Sequence, residues 1–172
     1  MDIKISKIGF GGGCHWCTEA VFQSLLGVEK VEQGFVASTK PNNSFSEAVI
    51  VHFNSKCITL NTLIEIHLLT HNSKSSHFMR EKYRSAIYTF DNGQQEAANS
   101  LMVKFQKKFN DELITKVLPF KYFEPSKENF INYYFENPEK PFCETFISPK
   151  LKLLVRQFSK FVDHKKIAHI KN

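Results

Sequence analysis

The chain opens on an alternation of apolar and polar residues. Ile3, Ile5, Ile8 and Phe10 give the pattern of a strand, and Gly11, Gly12 and Gly13 end it. Val21, Phe22, Leu25 and Leu26 then recur at helical spacing, with Gly27 where a helix C-cap belongs. Residues 28–36 predict a second strand, and the polar stretch 37–44, with Pro41, Asn42 and Asn43, predicts a loop. The run EAVIVHF over 47–53 predicts a third strand. Leu60, Leu63, Ile64, Ile66, His67 and Leu68 mark a helix opened by Thr59 or Asn61.

Residues 71–82 are polar and predict a long surface loop of the kind that often carries function. A strand is expected over 83–90. A helix is expected over 93–109, with Leu101, Val103, Phe105 and Phe109 partly buried, and a strand over 113–118 that Pro119 closes. Residues 127–135 predict a short aromatic helix. A segment with two prolines over 137–141 leads to Cys143, and Pro149 starts a last amphipathic helix running through Phe161. Strands alternating with helices over short connections predict an α/β fold, a two-layer sandwich with a ferredoxin-like core and extra helices.

Composition narrows this picture. A chain of 172 residues, 42% hydrophobic and with 17 phenylalanines, can fill one core, so a single domain over 1–172 is expected. No stretch approaches the roughly 20 apolar residues that span a bilayer. The start, MDIKISKIGF, lacks a signal peptide's apolar run, so a cytoplasmic protein without a membrane is expected. The net charge of +6 gathers towards the end: from Glu139 onward there are eight Lys or Arg against three acids. No aromatic interleaving or nucleic-acid motif goes with it, so this reads as a solvated basic face.

Four cysteines, Cys14, Cys17, Cys57 and Cys143, are too few for a disulfide scaffold and point to redox chemistry, catalysis or packing. Cys14 follows the glycine loop where a helix begins. Unpaired N–H groups and the helix dipole at that place favour a thiolate. Cys14 is therefore a candidate nucleophile, and Cys17 three residues on completes a CxxC spacing. Cys14, His15 and Cys17 lack the second pair that a structural zinc site needs, so no metal is expected.

These motifs resemble the A-type peptide methionine sulfoxide reductases, which act on the S epimer of methionine sulfoxide. The family's GCFW after a strand and glycine loop stands here as Gly13-Cys14-His15-Trp16, and TEAVFQSLLGV is similar to its first helix. Ser46-Glu47-Ala48-Val49 matches the element with the family's catalytic glutamate, and residues 83–88 read YRSAIY as the family does. Phe142-Cys143 with Ile147 and Pro149-Lys150-Leu151 is similar to a segment that carries a resolving cysteine in some members.

The resemblance implies an α/β sandwich and a role for each residue. Cys14 attacks the sulfoxide sulfur. Glu47 supplies a proton to the departing oxygen, Tyr83 donates a second hydrogen bond, and Trp16 packs on the S-methyl group. Cys14 is left as a sulfenic acid. A second thiol then forms a disulfide that thioredoxin, or dithiothreitol in vitro, reduces. Cys143 is the first choice for that thiol and Cys17 the alternative, while Cys57 reads as structural. The segment around Cys143 is expected to be mobile enough to reach Cys14. The implied partners are thioredoxin and oxidised proteins or free methionine sulfoxide, the chain itself being a monomer with no bound cofactor.

The chain departs from the family pattern at several positions. His15 replaces the usual Phe, and Phe35 replaces a Tyr that hydrogen-bonds the substrate oxygen. Phe78 replaces an Asp, and Asn129-Phe130-Ile131 stands for the usual YHQ. A more apolar pocket is implied, with His15, Trp16 and Phe35 against the substrate. Two readings compete: a module that binds oxidised methionine or a partner without turnover, and a thiol–disulfide oxidoreductase using Cys14 and Cys17.

Overall fold

The strand that leads into the glycine loop, β1 (Ile5–Gly11), lies inside a six-stranded mixed sheet of order β5-β4-β1-β3-β2-β6. The structure is a computed structural model and describes residues 4–74 and 81–170. The other strands are β2 (Val28–Ala37), β3 (Ser46–Asn54), β4 (Ala86–Thr89), β5 (Lys116–Pro119) and β6 (Tyr122–Pro125). The helices are α1 (His15–Gln23), α2 (Leu60–Thr70), α3 (Asn92–Gln106), α4 (Tyr133–Glu136) and α5 (Ser148–Gln157). The run β1-α1-β2-β3-α2-β4, with β1 antiparallel to both β3 and β4 and β2 antiparallel to β3, is the ferredoxin-like arrangement. β5 adds to β4 in parallel and β6 adds to β2 antiparallel.

Alternation along the strands sorts two faces. Ile8 and Phe10 of β1, Val49, Val51 and Phe53 of β3 and Ile87 of β4 share one core with buried residues of α1, α2, α3 and α5. Phe10 stacks on Phe22 of α1, ring centroids 4.7 Å apart and planes 6° from parallel. Each such fully buried side chain contributes about 1.5–3 kcal/mol. The opposite face carries a smaller cluster of Val36, Ala48, Ala86 and Tyr88, covered by Leu118, Phe120 and Phe123.

The helix ends follow local chemistry. The Thr59 hydroxyl accepts the Thr62 N–H at 3.2 Å and caps α2, and Asp91 Oδ1 accepts the Gln94 N–H at 2.7 Å and caps α3. Gly27 has φ +89°, a turn conformation that side chains rarely adopt. Gly34 allows β6 to approach, since a Cβ there would lie 2.2 Å from the Glu124 carbonyl oxygen.

Several elements differ from the sequence expectation. β6 was not foreseen, and the strand expected over 83–90 is paired only over Ala86–Thr89. Arg84 and Ser85 spend their hydrogen bonds on the neighbouring loops instead. α3 stops at Gln106, with Phe105 wholly buried but Val103 63% exposed, and Leu26 is also exposed. The aromatic helix expected over 127–135 is broken into a 3-10 turn, Glu128–Phe130, and α4 by the left-handed Asn132 at φ 60°. The last helix ends at Gln157, and a 3-10 turn, Ser159–Phe161, follows it.

Candidate functional site

Cys14 occupies the N-cap of α1 in an extended conformation, φ −59° and ψ 126°. Its carbonyl accepts the N–H of Cys17 at 3.1 Å and of Thr18 at 3.3 Å, so the backbone enters the helix there. The thiol is half-buried. A hydrogen bond from the Cys17 thiol lowers the Cys14 pKa below the ordinary thiol value, helped by the backbone N–H groups of Trp16 and Cys17, while burial and the Glu47 charge oppose the shift. Cys17 moves the other way: its bond to Cys14 and its burial hold its proton on.

Glu47 is brought to Cys14 by the pairing of β1 with β3, in which Gly11 faces Ala48. The start of β3 is tied to the segment before β4: the Glu47 N–H donates to the Lys82 carbonyl at 2.9 Å, and the Ser46 hydroxyl to the same carbonyl at 2.8 Å. The Arg84 N–H donates to the Ser46 hydroxyl at 2.7 Å. Those bonds hold Tyr83 beside Glu47. Glu47 is 6% exposed. Its Oε1 accepts the His15 backbone N–H at 3.3 Å, at the positive end of α1, and its Oε2 faces Lys82 Nζ at 3.7 Å. Lys82 is exposed and sits 5.0 Å from the centre of the Tyr83 ring; the Tyr83 hydroxyl first, then the Glu47 charge, raise its pKa.

Cys14, His15, Trp16, Phe35, Glu47, Lys82 and Tyr83 line one cavity of about 460 Å³, whose far wall is Ser126, Lys127, Phe130 and Phe142. Its apolar side is an aromatic stack: Trp16 lies on Tyr133 at 3.9 Å and near Phe130 at 5.8 Å, and Phe142 meets it edge-on at 5.5 Å. Phe35 presents its edge to His15 at 5.2 Å. The sequence-singled residues of this set thus come together. Phe78 lies outside the described residues.

The segment around Cys143, expected to be mobile, is instead a π-helical turn, Cys143–Ile147, running into α5, and the thiol is wholly buried. Cys143 and Ile147 of this turn sit in the main core that also holds Cys17, while the residues between them face solvent. Cys57, expected to be structural, has an exposed side chain in the turn between β3 and α2. Among the described residues no three His, Cys, Asp or Glu side chains cluster as metal ligands.

Two supports for the site were not foreseen. Glu19 in α1 is wholly buried, and its carboxylate accepts the N–H groups of Asn132 at 3.0 Å and Tyr133 at 3.2 Å, which pins the start of α4 and the ring beneath Trp16. Behind the glycine loop, His67 Nε2 bonds the Gly11 carbonyl at 2.7 Å, and His71 bonds the His67 carbonyl and, at 2.8 Å, the Ser85 hydroxyl. The only sequence signal for these was polarity on otherwise apolar helix faces.

An α/β sheet that carries a half-buried cysteine at a helix N-terminus, beside a buried carboxyl and an aromatic wall, defines the class of site. The family model for peptide methionine sulfoxide reductase matches residues 6–162. The peptide methionine sulfoxide reductase MsrA of Pasteurella multocida is 32% identical over 155 residues, which is 82% of this chain and 89% of that one. Mxr1 of Saccharomyces cerevisiae in reduced form superposes with a TM-score of 0.74 at 22% identity, over 83% of this chain and 91% of that one. The same yeast protein in complex with Trx2 superposes with a TM-score of 0.61 at 21% identity, over 73% and 83%. This chain belongs to the peptide methionine sulfoxide reductase family.

Proposed function

We propose that this protein reduces methionine-S-sulfoxide, free or in proteins, to methionine by thiol chemistry at Cys14. The observation that carries the reading is the shared cavity: a cysteine with a lowered pKa, a buried carboxyl, a phenol and an indole face the same space. The Cys14 thiolate attacks the sulfoxide sulfur. Glu47 supplies the proton that the oxygen needs as it leaves, and the Tyr83 hydroxyl donates a hydrogen bond to it. Trp16, backed by Tyr133, holds the S-methyl group and excludes water. Oxygen passes from the methionine sulfur to Cys14, giving methionine and a sulfenic acid.

A second thiol then displaces water from the sulfenic acid and closes a disulfide. Cys17 is the nearer of the two candidates in sequence, in the first turn of α1, and its thiol is the main influence on the ionisation of Cys14. The N-cap position of Cys14 frees the pair from the fixed i, i+3 geometry of a helix interior. Cys143, wholly buried in the core, is second in line. Thioredoxin is the proposed reductant, supported by the family and by the yeast relative's complex with Trx2. We place the protein in the cytoplasm, as a single domain acting as a monomer, where reduced thioredoxin is at hand.

The two epimers of a blocked methionine sulfoxide, supplied separately with dithiothreitol and then with thioredoxin, test the reading. The expected result is turnover of the S epimer only, abolished in Cys14→Ser. Peptide mapping after one turnover without reductant is expected to find Cys14 joined to Cys17. An active Cys14→Ser variant, or turnover of the R epimer alone, overturns the proposal.

A further inference from the structure

His15 stands where the resembling family has Phe, and both its ring nitrogens are engaged. Nδ1 lies 2.8 Å from the Gly34 carbonyl oxygen. A carbonyl only accepts, so Nδ1 carries a hydrogen. Nε2 faces Glu47 Oε1 at 3.3 Å. With Nδ1 protonated, a neutral ring presents Nε2 as a lone pair, and an ionised carboxylate at that distance repels it. The contact is favourable once a further proton joins the pair, on Nε2 or on the carboxyl. The two forms have the same net charge and the same number of protons.

The surroundings make that proton matter. His15 and Glu47 are 7% and 6% exposed, so water screens their contact weakly. Among the described residues the charged and titratable groups facing them are Lys82 Nζ at 3.7 Å from Oε2, the Cys14 thiol, and Tyr83 and Lys127 on the same cavity. Phe35 closes the ring's other side. The His15 pKa lies below the ordinary imidazole value: burial lowers it, the Gly34 carbonyl and then the Glu47 charge oppose that fall, and the Lys82 charge adds to it.

We propose that His15 and Glu47 jointly hold one proton and that this is the proton the sulfoxide oxygen takes. This inference rests on the roles of Cys14 and Glu47 given above. His15 acts through Glu47 and is a positioning residue. In the step, the bond from methionine sulfur to oxygen breaks and a bond from Cys14 sulfur to oxygen forms. Methionine is reduced by two electrons, Cys14 is oxidised by two, and the proton of the pair ends on the sulfenic acid. The pair is refilled when the next reduced Cys14 thiol ionises. Each cycle thus passes one proton from the thiol to the pair and on to the sulfenic acid, and it leaves in the water released when the disulfide closes.

The test is the single-turnover rate on a blocked methionine-S-sulfoxide, followed from acidic to alkaline pH in wild type, His15→Phe, His15→Gln and Glu47→Gln. His15→Phe installs the family residue and is expected to fold. His15→Gln keeps an amide donor for the Gly34 carbonyl but holds no proton. The alkaline limb is expected to move down by about one pH unit or more in both His15 variants, while Glu47→Gln is slow at every pH. A limb unmoved in His15→Phe, with Glu47→Gln slow, overturns the shared proton and leaves the functional reading standing. A Glu47→Gln variant as fast as wild type removes the donor role and this inference with it. Nitrogen NMR of His15 is expected to find Nε2 protonated or hydrogen-bonded at neutral pH; a bare Nε2 overturns the proposal independently of activity.

Discussion

The indole of Trp16 lies flat on the ring of Tyr133, 3.9 Å between centroids and 9° from parallel. Tyr133 in turn is fixed by the Glu19 carboxylate on its backbone N–H. Removing the ring beneath Trp16 should loosen the wall proposed to grip the substrate methyl. Tyr133→Ala is expected to raise KM about tenfold or less, in line with an aromatic pair worth about 0.5–1.5 kcal/mol, with kcat little changed. Steady-state kinetics on the S epimer measures the split.

Cys14 ionises below the ordinary thiol range chiefly because the Cys17 thiol donates to it. A Cys17→Ala variant loses that donor, so the Cys14 pKa rises and less thiolate is present at neutral pH. The pH dependence of alkylation of Cys14 by iodoacetamide is expected to shift to higher pH in Cys17→Ala. An unshifted curve means that the helix N-terminus alone sets the ionisation.

Glu19 titrates in the opposite sense. Burial raises its pKa above the ordinary carboxyl value against the backbone donors of Asn132 and Tyr133. The folded state therefore holds the proton more tightly than the unfolded chain. The stabilisation this gives is full below the unfolded pKa and is lost as pH rises through the folded one. Glu19→Gln lacks that dependence. The difference in melting temperature between wild type and Glu19→Gln is expected to change in favour of the variant as pH rises across the carboxyl range.

Arg84 is 7% exposed and has no carboxylate partner among the described residues; its guanidinium donates to the Tyr88 hydroxyl at 3.1 Å, the Val36 carbonyl at 3.1 Å and the Ser44 carbonyl at 3.0 Å. Arg84→Met strands these acceptors and is expected to cost about 2–4 kcal/mol, read as a fall in melting temperature of roughly 5–15 °C. Its role is to lock the loop before β3 to β4, which seats Glu47.

Strong periodicity made β1, β2, β3, α1 and α2 legible, because their apolar faces meet a core that the sequence pattern encodes locally. β6 was hidden: four residues flanked by Pro119 and closed by Pro125 carry no alternation, and the strand exists through its pairing with Gly34 to Ala37. The break at Asn132 depends on a carboxylate 113 positions away in the chain. The site was legible where motifs are contiguous, as in Cys14-His15-Trp16 and the Tyr83 run. Lys82, Glu19 and the His67–His71 brace were not, since each acts through a partner distant in sequence. Cys143 showed the reverse failure, as neighbouring prolines suggested a loop where long-range packing built a helix.

Both borders of the sheet are four-residue strands, β5 and β6, and each finishes on a proline that has no N–H to offer. Partly unfolded chains tend to add themselves to any open strand edge. Here such a chain finds only stubs, so the sheet offers little to extend, and the fold is guarded against being recruited into the aggregates of other chains.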